Sequence, residues 1–240
     1  DDKFPPLHFA TQHNQIEIVK NIAQFAKNNN IVDDIVNQNI ENVGTPLHIA
    51  AEQNYSEIIT TLIQYDANVN IPKEDGNTPL HTAALNNNAN VITALLNNAS
   101  QTINVNAKNE YQRTPLHLAS QQCKKDAVKT LLQNSKININ AQDNNNNTPL
   151  HLALTKQDKS CSQVVTQLLQ NGADINAKNE QQNTPLHTAI QNLPPNEAKT
   201  DRIKLLVKHG ANIYAQNKQG KTPLDIANQE IKNAIQESLN

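Results

Sequence analysis

The chain has no Met and no Trp, and only three Phe, four Tyr and five Gly. So few large aromatics argue, with the low hydrophobic fraction and the many amides, against a compact sphere with a thick core. The few glycines form neither GxGxxG nor a phosphate loop, so no nucleotide cofactor is expected. No apolar run exceeds three residues, Leu205-Leu206-Val207 being one example, so no membrane insertion is expected. Neither charge sign dominates: 20 basic and 22 acidic residues leave a net charge of −2. That gives no phosphate-neutralising stripe and no nucleic-acid partner. The two cysteines, Cys123 and Cys161, make no CxxC pair and no disulfide framework. Both are expected to stay reduced, in a cytoplasmic compartment. A chain without Met that starts Asp-Asp-Lys is expected to be a fragment or a processed product.

What the chain has in excess is side-chain amide: 39 Asn and 23 Gln among 240 residues. Hydrophobic residues reach 37%, below the ~45–50% of an average globular protein. Such a composition fits either a disordered tract or thin layers that each bury a narrow apolar stripe. A repeat decides between them. Pro5-Pro6-Leu7-His8-Phe9-Ala10 is echoed by Thr-Pro-Leu-His-x-Ala runs at Thr45, Thr78, Thr114, Thr148 and Thr184, and by Thr222-Pro223-Leu224-Asp225-Ile226-Ala227. The prolines fall at 6, 46, 79, 115, 149, 185 and 223, a period near 33 with small insertions.

Each unit has a physical reading. Thr followed by Pro starts a helix, with the hydroxyl free to accept from an amide of the first turn. A second apolar pattern follows: Ile58-Ile59 with Leu62-Ile63, Val91-Ile92 with Leu95-Leu96, Ala127-Val128 with Leu131-Leu132, Val164-Val165 with Leu168-Leu169. Spacing of i, i+1, i+4, i+5 marks one face of a helix. Turns and extended segments come next, such as Gly172-Ala173-Asp174-Ile175-Asn176, then polar loops such as Lys73-Glu74-Asp75-Gly76-Asn77.

This pattern resembles the ankyrin repeat family, which joins a Thr-Pro-Leu-His-x-Ala helix, a Val-x-x-Leu-Leu helix and a Gly-Ala-Asp-x-Asn loop. The resemblance implies an all-α repeat solenoid, an L-shaped stack of helix-turn-helix units with projecting hairpin loops. It covers residues 1–240 as a single domain of seven repeats, at approximately 4–39, 40–72, 73–108, 109–142, 143–178, 179–216 and 217–240. The first unit departs from the pattern with Pro5 in place of Thr. The last departs with Asp225 in place of His, and its second helix, from Glu230 to Leu239, is rich in charge and amide, as a terminal cap requires. The surplus Asn and Gln then belong mostly to the surface.

Catalysis finds little support. Six of eight histidines (His8, His48, His81, His117, His151 and His187) share one repeat position, which points to a shared packing role in which the imidazole ties one loop to its neighbour. His13 and His209 suggest no triad, and HExxH is absent. Cys123 and Cys161 lie 8 and 12 residues past their repeat prolines, out of step by about one turn, and read as free, partly buried thiols. No catalytic residue, metal site or cofactor is expected. Asn70, Asn106, Asn140 and Asn176 match a family position that stabilises the turn, and that can be hydroxylated in an animal cytosol.

The resemblance implies binding at positions that vary between units. Carried over, the tip positions are Glu74, Asp75 and Asn77, then Tyr111 and Arg113, Asn145 and Asn147, and Gln181 and Asn183. The groove positions after the first helix are Glu52 and Gln53, Leu85 and Asn86, Gln121 and Gln122, Thr155 and Lys156, and Gln191 and Asn192. Tyr and Arg most often dominate binding energy, which singles out Tyr111 and Arg113. Residues 28–43, Ser100-Gln101-Thr102 and Leu193-Pro194-Pro195-Asn196 are insertions that decorate the stack. The expected function is a non-enzymatic protein-binding module, a monomer that recognises a protein or peptide along its concave surface. The alternative is a substrate-recognition array of a larger enzyme. Amide richness and low Arg content also resemble ankyrin proteins of intracellular bacteria or protists, so an effector acting in a host cytosol is a further expectation.

Overall fold

Each Thr-Pro-Leu-His run opens a helix. Proline at the first helical position gives up an amide hydrogen that has no intrahelical partner. The Thr before it is extended, and Thr with His closes a reciprocal capping box at Thr45, Thr78, Thr114 and Thr148. The computed structural model describes residues 4–99, 102–156, 158–192 and 197–239. Ser100 and Gln101 of one insertion, and all of Leu193-Pro194-Pro195-Asn196, lie outside the described residues.

In chain order the helices are α1 (Pro6–Gln12), α2 (Ile16–Asn28), α3 (Val32–Ile35), α4 (Pro46–Glu52), α5 (Ser56–Gln64), α6 (Pro79–Leu85), α7 (Ala89–Asn98) and α8 (Pro115–Gln121). They continue as α9 (Lys125–Leu132), α10 (Pro149–Ala153), α11 (Lys159–Gln170), α12 (Pro185–Asn192), α13 (Glu197–Lys208), α14 (Pro223–Ile226) and α15 (Gln229–Leu239). Apart from α3, which fills the lengthened first junction, they form pairs. The first members, α1, α4, α6, α8, α10, α12 and α14, pack side by side in one row. The second members, α2, α5, α7, α9, α11, α13 and α15, form a parallel row behind it. Among the described residues there is no strand, only an isolated bridge between Ile40 and Gly44.

The core is a ribbon between the rows. Ile58, Ile59 and Leu62, Val91, Ile92 and Leu95, Ala127, Val128 and Leu131, and Val164, Val165 and Leu168 are all fully buried. These are the positions the helical spacing selects, and each large aliphatic contributes about 1.5–3 kcal/mol on burial. Small Ala50, Ala83, Ala119, Ala153 and Ala189 let the first-row helices approach closely. In the sixth pair Arg202 takes the place of Ile58. It is buried, and its guanidinium donates to Ser162 Oγ and to the main-chain oxygens of Lys156 and Asp158. An arginine is tolerated there because each of its three guanidinium nitrogens finds an acceptor on the preceding pair.

In the first four pairs the turn between the paired helices uses a residue with positive φ. Asn14, Asn54 and Asn87 take it at +55°, +64° and +63°, each eight residues past its repeat proline. Asparagine tolerates this region better than other non-glycine residues. In the fourth pair the same position holds Cys123, at +55°. The Asn87 side chain crosses to the next pair, where it accepts from Asp126 N and Ala127 N and donates to Asp126 Oδ2. Cys123 makes the same crossing covalently, through a disulfide to Cys161 with the Cα atoms 4.6 Å apart. This corrects the expectation of two reduced thiols. The offsets of 8 and 12 mislead because α11 starts about one turn earlier than α9 relative to its apolar stripe, which brings Cys161 beside the turn of the pair before.

Two outcomes test the bond. Alkylation in denaturant without reductant should label neither cysteine. Cys161→Ser should lower the urea unfolding free energy by about 2–4 kcal/mol. Full labelling without reductant would refute the bond.

Candidate interaction surface

Before each Thr-Pro the chain turns back in a tight tip. Asn109, Asp143, Asn179 and Asn217 stand five residues ahead of the next Thr and organise it. Asn109 Oδ1 accepts from Tyr111 N and Arg113 N, both at 3.0 Å. Asp143, Asn179 and Asn217 repeat the pattern on their own tips. Successive tips are then joined through the main chain: Glu110 N donates to Asp75 O, Asn144 N to Tyr111 O, Glu180 N to Asn145 O, and Lys218 N to Gln181 O. At the first of these contacts Gly76, at φ +77°, lies so close that an added Cβ would stand 2.7 Å from Glu110 N.

The carried-over tip residues divide in two. Glu74, Asp75, Tyr111, Asn145 and Gln181 are exposed, while Asn77, Arg113, Asn147 and Asn183 are half-buried and bind the next tip. Asn109 Nδ2 donates to Asn77 Oδ1, Asn179 Nδ2 to Asn147 Oδ1 and Asn217 Nδ2 to Asn183 Oδ1, all at 2.9 Å. At the fourth junction both partners change together. Arg113 stands for the first amide and Asp143 for the second, with Nε to Oδ2 at 3.3 Å. Arg113 also donates to Gln121 Oε1 at 3.2 Å and holds its guanidinium carbon 5.7 Å from the Tyr111 ring centre. Sequence reading thus found the exposed Tyr111 but gave Arg113 a binding role without its structural one. The organisers Asn109, Asp143, Asn179 and Asn217 were missed, although their fixed offset was visible.

Groove positions are also tied, one of them across pairs and the rest locally. Gln122 Oε1 accepts from Lys156 Nζ, and Asn183 Nδ2 donates to Gln191 Oε1. Asn86 Nδ2 donates to Thr82 O, and the exposed Thr155 donates to Leu152 O. Leu85 is exposed at the end of α6 and does not join the inter-helix core. Glu52, Gln53, Gln191 and Asn192 are exposed.

The histidines lie behind this surface. In His48, His81, His117, His151 and His187, Nδ1 accepts from the backbone N–H of the preceding Thr at 3.1–3.2 Å. Nε2–H therefore donates to the next pair, reaching Asn77 O, Arg113 O, Asn147 O, Asn183 O and Lys221 O at 2.9–3.0 Å. This geometry needs the neutral ring. Burial pushes His48, His81 and His117 down to about 4, and lowers His8, His151 and His187 as well, with the backbone bonds opposing only in part. His8 reaches Gly44 O, but its buried Nδ1 has no partner among the described residues, since Pro5 supplies no N–H.

A second amide ladder runs through the other loops. Asn70 donates to Thr102 O and accepts from Asn104 N, both at 2.8 Å. Asn106, Asn140 and Asn176 do the same to the turn that follows each. These side chains stabilise the neighbouring turn. Each turn's own Asx bond comes from Asn68, Asn104, Asn138, Asp174 or Asn212. Much of the Asn surplus is thus inter-pair adhesive.

Among the described residues no cluster of His, Cys, Asp and Glu can hold a metal ion, and no helix is long and apolar enough to cross a membrane. A row of braced tips beside a row of short helices defines a helical repeat array. Comparison with known proteins makes the class specific. The family model described as "Ankyrin repeats (3 copies)" matches residues 7–109, 101–179 and 156–237, and the chain belongs to the ankyrin repeat family. It is similar to the crystal structure of the ankyrin repeat domain of Bcl-3, described as a unique member of the IkappaB protein family. That likeness has a TM-score of 0.86 and 24% identity, over 100% of this chain and 99% of the other. It is also similar to the human ASB11 ankyrin repeat domain, with a TM-score of 0.72 and 26% identity, over 97% of each chain. No curated protein sequence matches. Ankyrin repeat domains are in general protein–protein interaction modules and typically non-catalytic.

Two predictions follow from these ties. The histidines bind fewer protons folded than unfolded, so their contribution is complete above about pH 6.5 and is lost as pH falls towards about 4. His48, His81 and His117 should each add up to about 1.4 kcal/mol per pH unit to the slope of stability in that window, readable from urea melts at several pH values. Asp143→Asn alone should cost about 1–3 kcal/mol, and adding Arg113→Asn, which installs the amide pair used at neighbouring junctions, should restore most of it. Additive losses would refute the exchange.

Proposed function

We propose that the chain is a protein-binding module that meets its partner with the tip row and the adjacent groove, one partner per monomeric array. The exposed side chains offered are Glu74, Asp75, Tyr111, Asn145 and Gln181 on the tips, with Leu85, Asn86, Thr155 and Lys156 alongside, and the half-buried Gln121, Gln122, Asn77, Arg113, Asn147 and Asn183 lie between and beneath them. The observation that carries this reading is the bracing of the tips. Their backbone is fixed by Asx bonds and by neighbouring tips, so little conformational freedom is lost on association. Tyr111, 61% exposed, stands on the central tip against the Arg113 guanidinium. A large amphipathic ring held in place beside a cation is a strong anchor. Action as an effector in a host cell is the finer form of the proposal. The Cys123–Cys161 bond favours a protein that passes through an oxidising compartment over one confined to a reducing cytoplasm.

The test separates binding from folding. Tyr111→Ala should leave the melting midpoint unchanged while weakening affinity for a captured partner about tenfold or more. Arg113→Ala should lower the midpoint as well. A partner bound equally well by wild type and Tyr111→Ala would remove the central tip from the interface.

A further inference from the structure

The fifth pair departs from its neighbours at one corner. In α9 the apolar stripe begins at Ala127, just after the helix starts at Lys125. In α11 the stripe begins at Val164, a turn after the start at Lys159. The extra turn holds no aliphatic residue, so burial of the stripe does not fix it. What fixes it comes from the two flanking pairs. On one side Cys161 is bonded to Cys123 on the turn of the fourth pair. On the other, Arg202 of α13 donates to Ser162 Oγ within the turn and to the main-chain oxygens of Lys156 and Asp158 ahead of it. Asp158 caps the turn, accepting from Ser160 N at 2.8 Å. Lys156 reaches back over the groove, where its Nζ donates to Gln122 Oε1, on the residue beside Cys123.

The noncovalent crossing used one pair earlier is closed to this corner. Asn87 accepts from Asp126 N and Ala127 N because these are among the first amides of α9, which have no intrahelical acceptor. Their counterparts in register with the stripe, Gln163 and Val164, stand a turn inside α11 and bond to its own carbonyls. Without the disulfide, the Cys123 turn has no free amide there to accept from. The stripe itself, Val164, Val165 and Leu168, is fully buried and does not depend on the bond. Opening the bond therefore releases one turn and leaves the stack.

We propose that Cys123 and Cys161 form a thiol–disulfide exchange site that switches the groove at Lys156, with a dithiol reductant as co-substrate. Attack falls on Cys123 Sγ, since Cys123 sits on a surface turn and is 4% exposed while Cys161 is fully buried. One thiolate of the reductant forms a mixed disulfide with Cys123, and Cys161 leaves as the thiolate. The reductant's second thiolate then displaces Cys123. The protein gains two electrons and two protons, and the dithiol becomes a disulfide. An oxidising compartment closes the bond and a reducing one opens it. The closed form orders the first turn of α11, the acceptors of Arg202 and the reach of Lys156; the open form frees all three. The consequence for the groove rests on the partner-binding reading. The exchange itself does not, and its test needs no partner.

The probe is dithiothreitol on the native 240-residue chain, with NMR exchange rates of backbone amides and of Arg202 Nε–H as the readout. In the disulfide form these protons should exchange slowly. Reduction should speed exchange at Arg202 Nε–H and at the Cys161, Ser162 and Gln163 amides by about tenfold or more, with the amides of α4 to α7 unchanged. Oxidised dithiothreitol should restore the slow rates. Cys123→Ala should exchange fast at the same sites without reductant and respond no further to it. A bond that dithiothreitol opens only in denaturant would overturn the proposal. So would exchange at the corner that reduction leaves unchanged, or exchange raised alike in every pair, which would mark a global staple.

Discussion

No helix pair in this chain can bury its own apolar stripe. A helix such as α5 has aliphatics on two adjoining registers, and one of them must be covered by the pair on either side. Everything else follows from that dependence. The stack grows in one dimension, each junction repeats the last, and stability is a sum of junction terms in place of one central core. A low hydrophobic fraction suffices because the buried layer is thin and continuous.

Thin layers expose many loop backbones, and those groups need partners. The chain supplies them mostly with neutral side chains. Histidine ties the Thr-Pro corner to the next tip, one asparagine ladder ties the turns, and another organises the tips themselves. Amides both donate and accept, so one side chain satisfies an N–H and a C=O on the neighbouring turn without a desolvated charge. Local departures follow the same logic. Arg113 and Asp143 replace an amide pair together, Arg202 replaces an aliphatic where carbonyls await it, and a disulfide replaces an Asn crossing. Each keeps the junction and changes its chemistry.

The architecture was legible in the sequence because its cause is periodic. Pro46, Pro79 and Pro115 mark helix starts, Ile58-Ile59 with Leu62 marks the buried face, and the shared histidine position signals a packing role. The disulfide was not legible, because pairing Cys123 with Cys161 depends on α11 starting a turn early, a shift that counting from the proline hides. Arg113 was read for its residue type alone; its second role needs Asp143, thirty residues on, to be seen as its neighbour in space. The ladder asparagines were placed correctly in the turns but assigned to their own turn, since sequence cannot say which neighbour a side chain faces.

The central claim is that neutral histidines bridge consecutive pairs. Nitrogen NMR of the imidazole rings near neutral pH tests it most directly. The account predicts that His48, His81, His117, His151 and His187 each hold a single tautomer, with Nε2 protonated and slowly exchanging and Nδ1 an acceptor. The exposed His13 and His209, whose Nδ1 atoms face Phe9 O and Leu205 O, should stand apart. Rings of the bridging set that average between tautomers and titrate like free imidazole would contradict it.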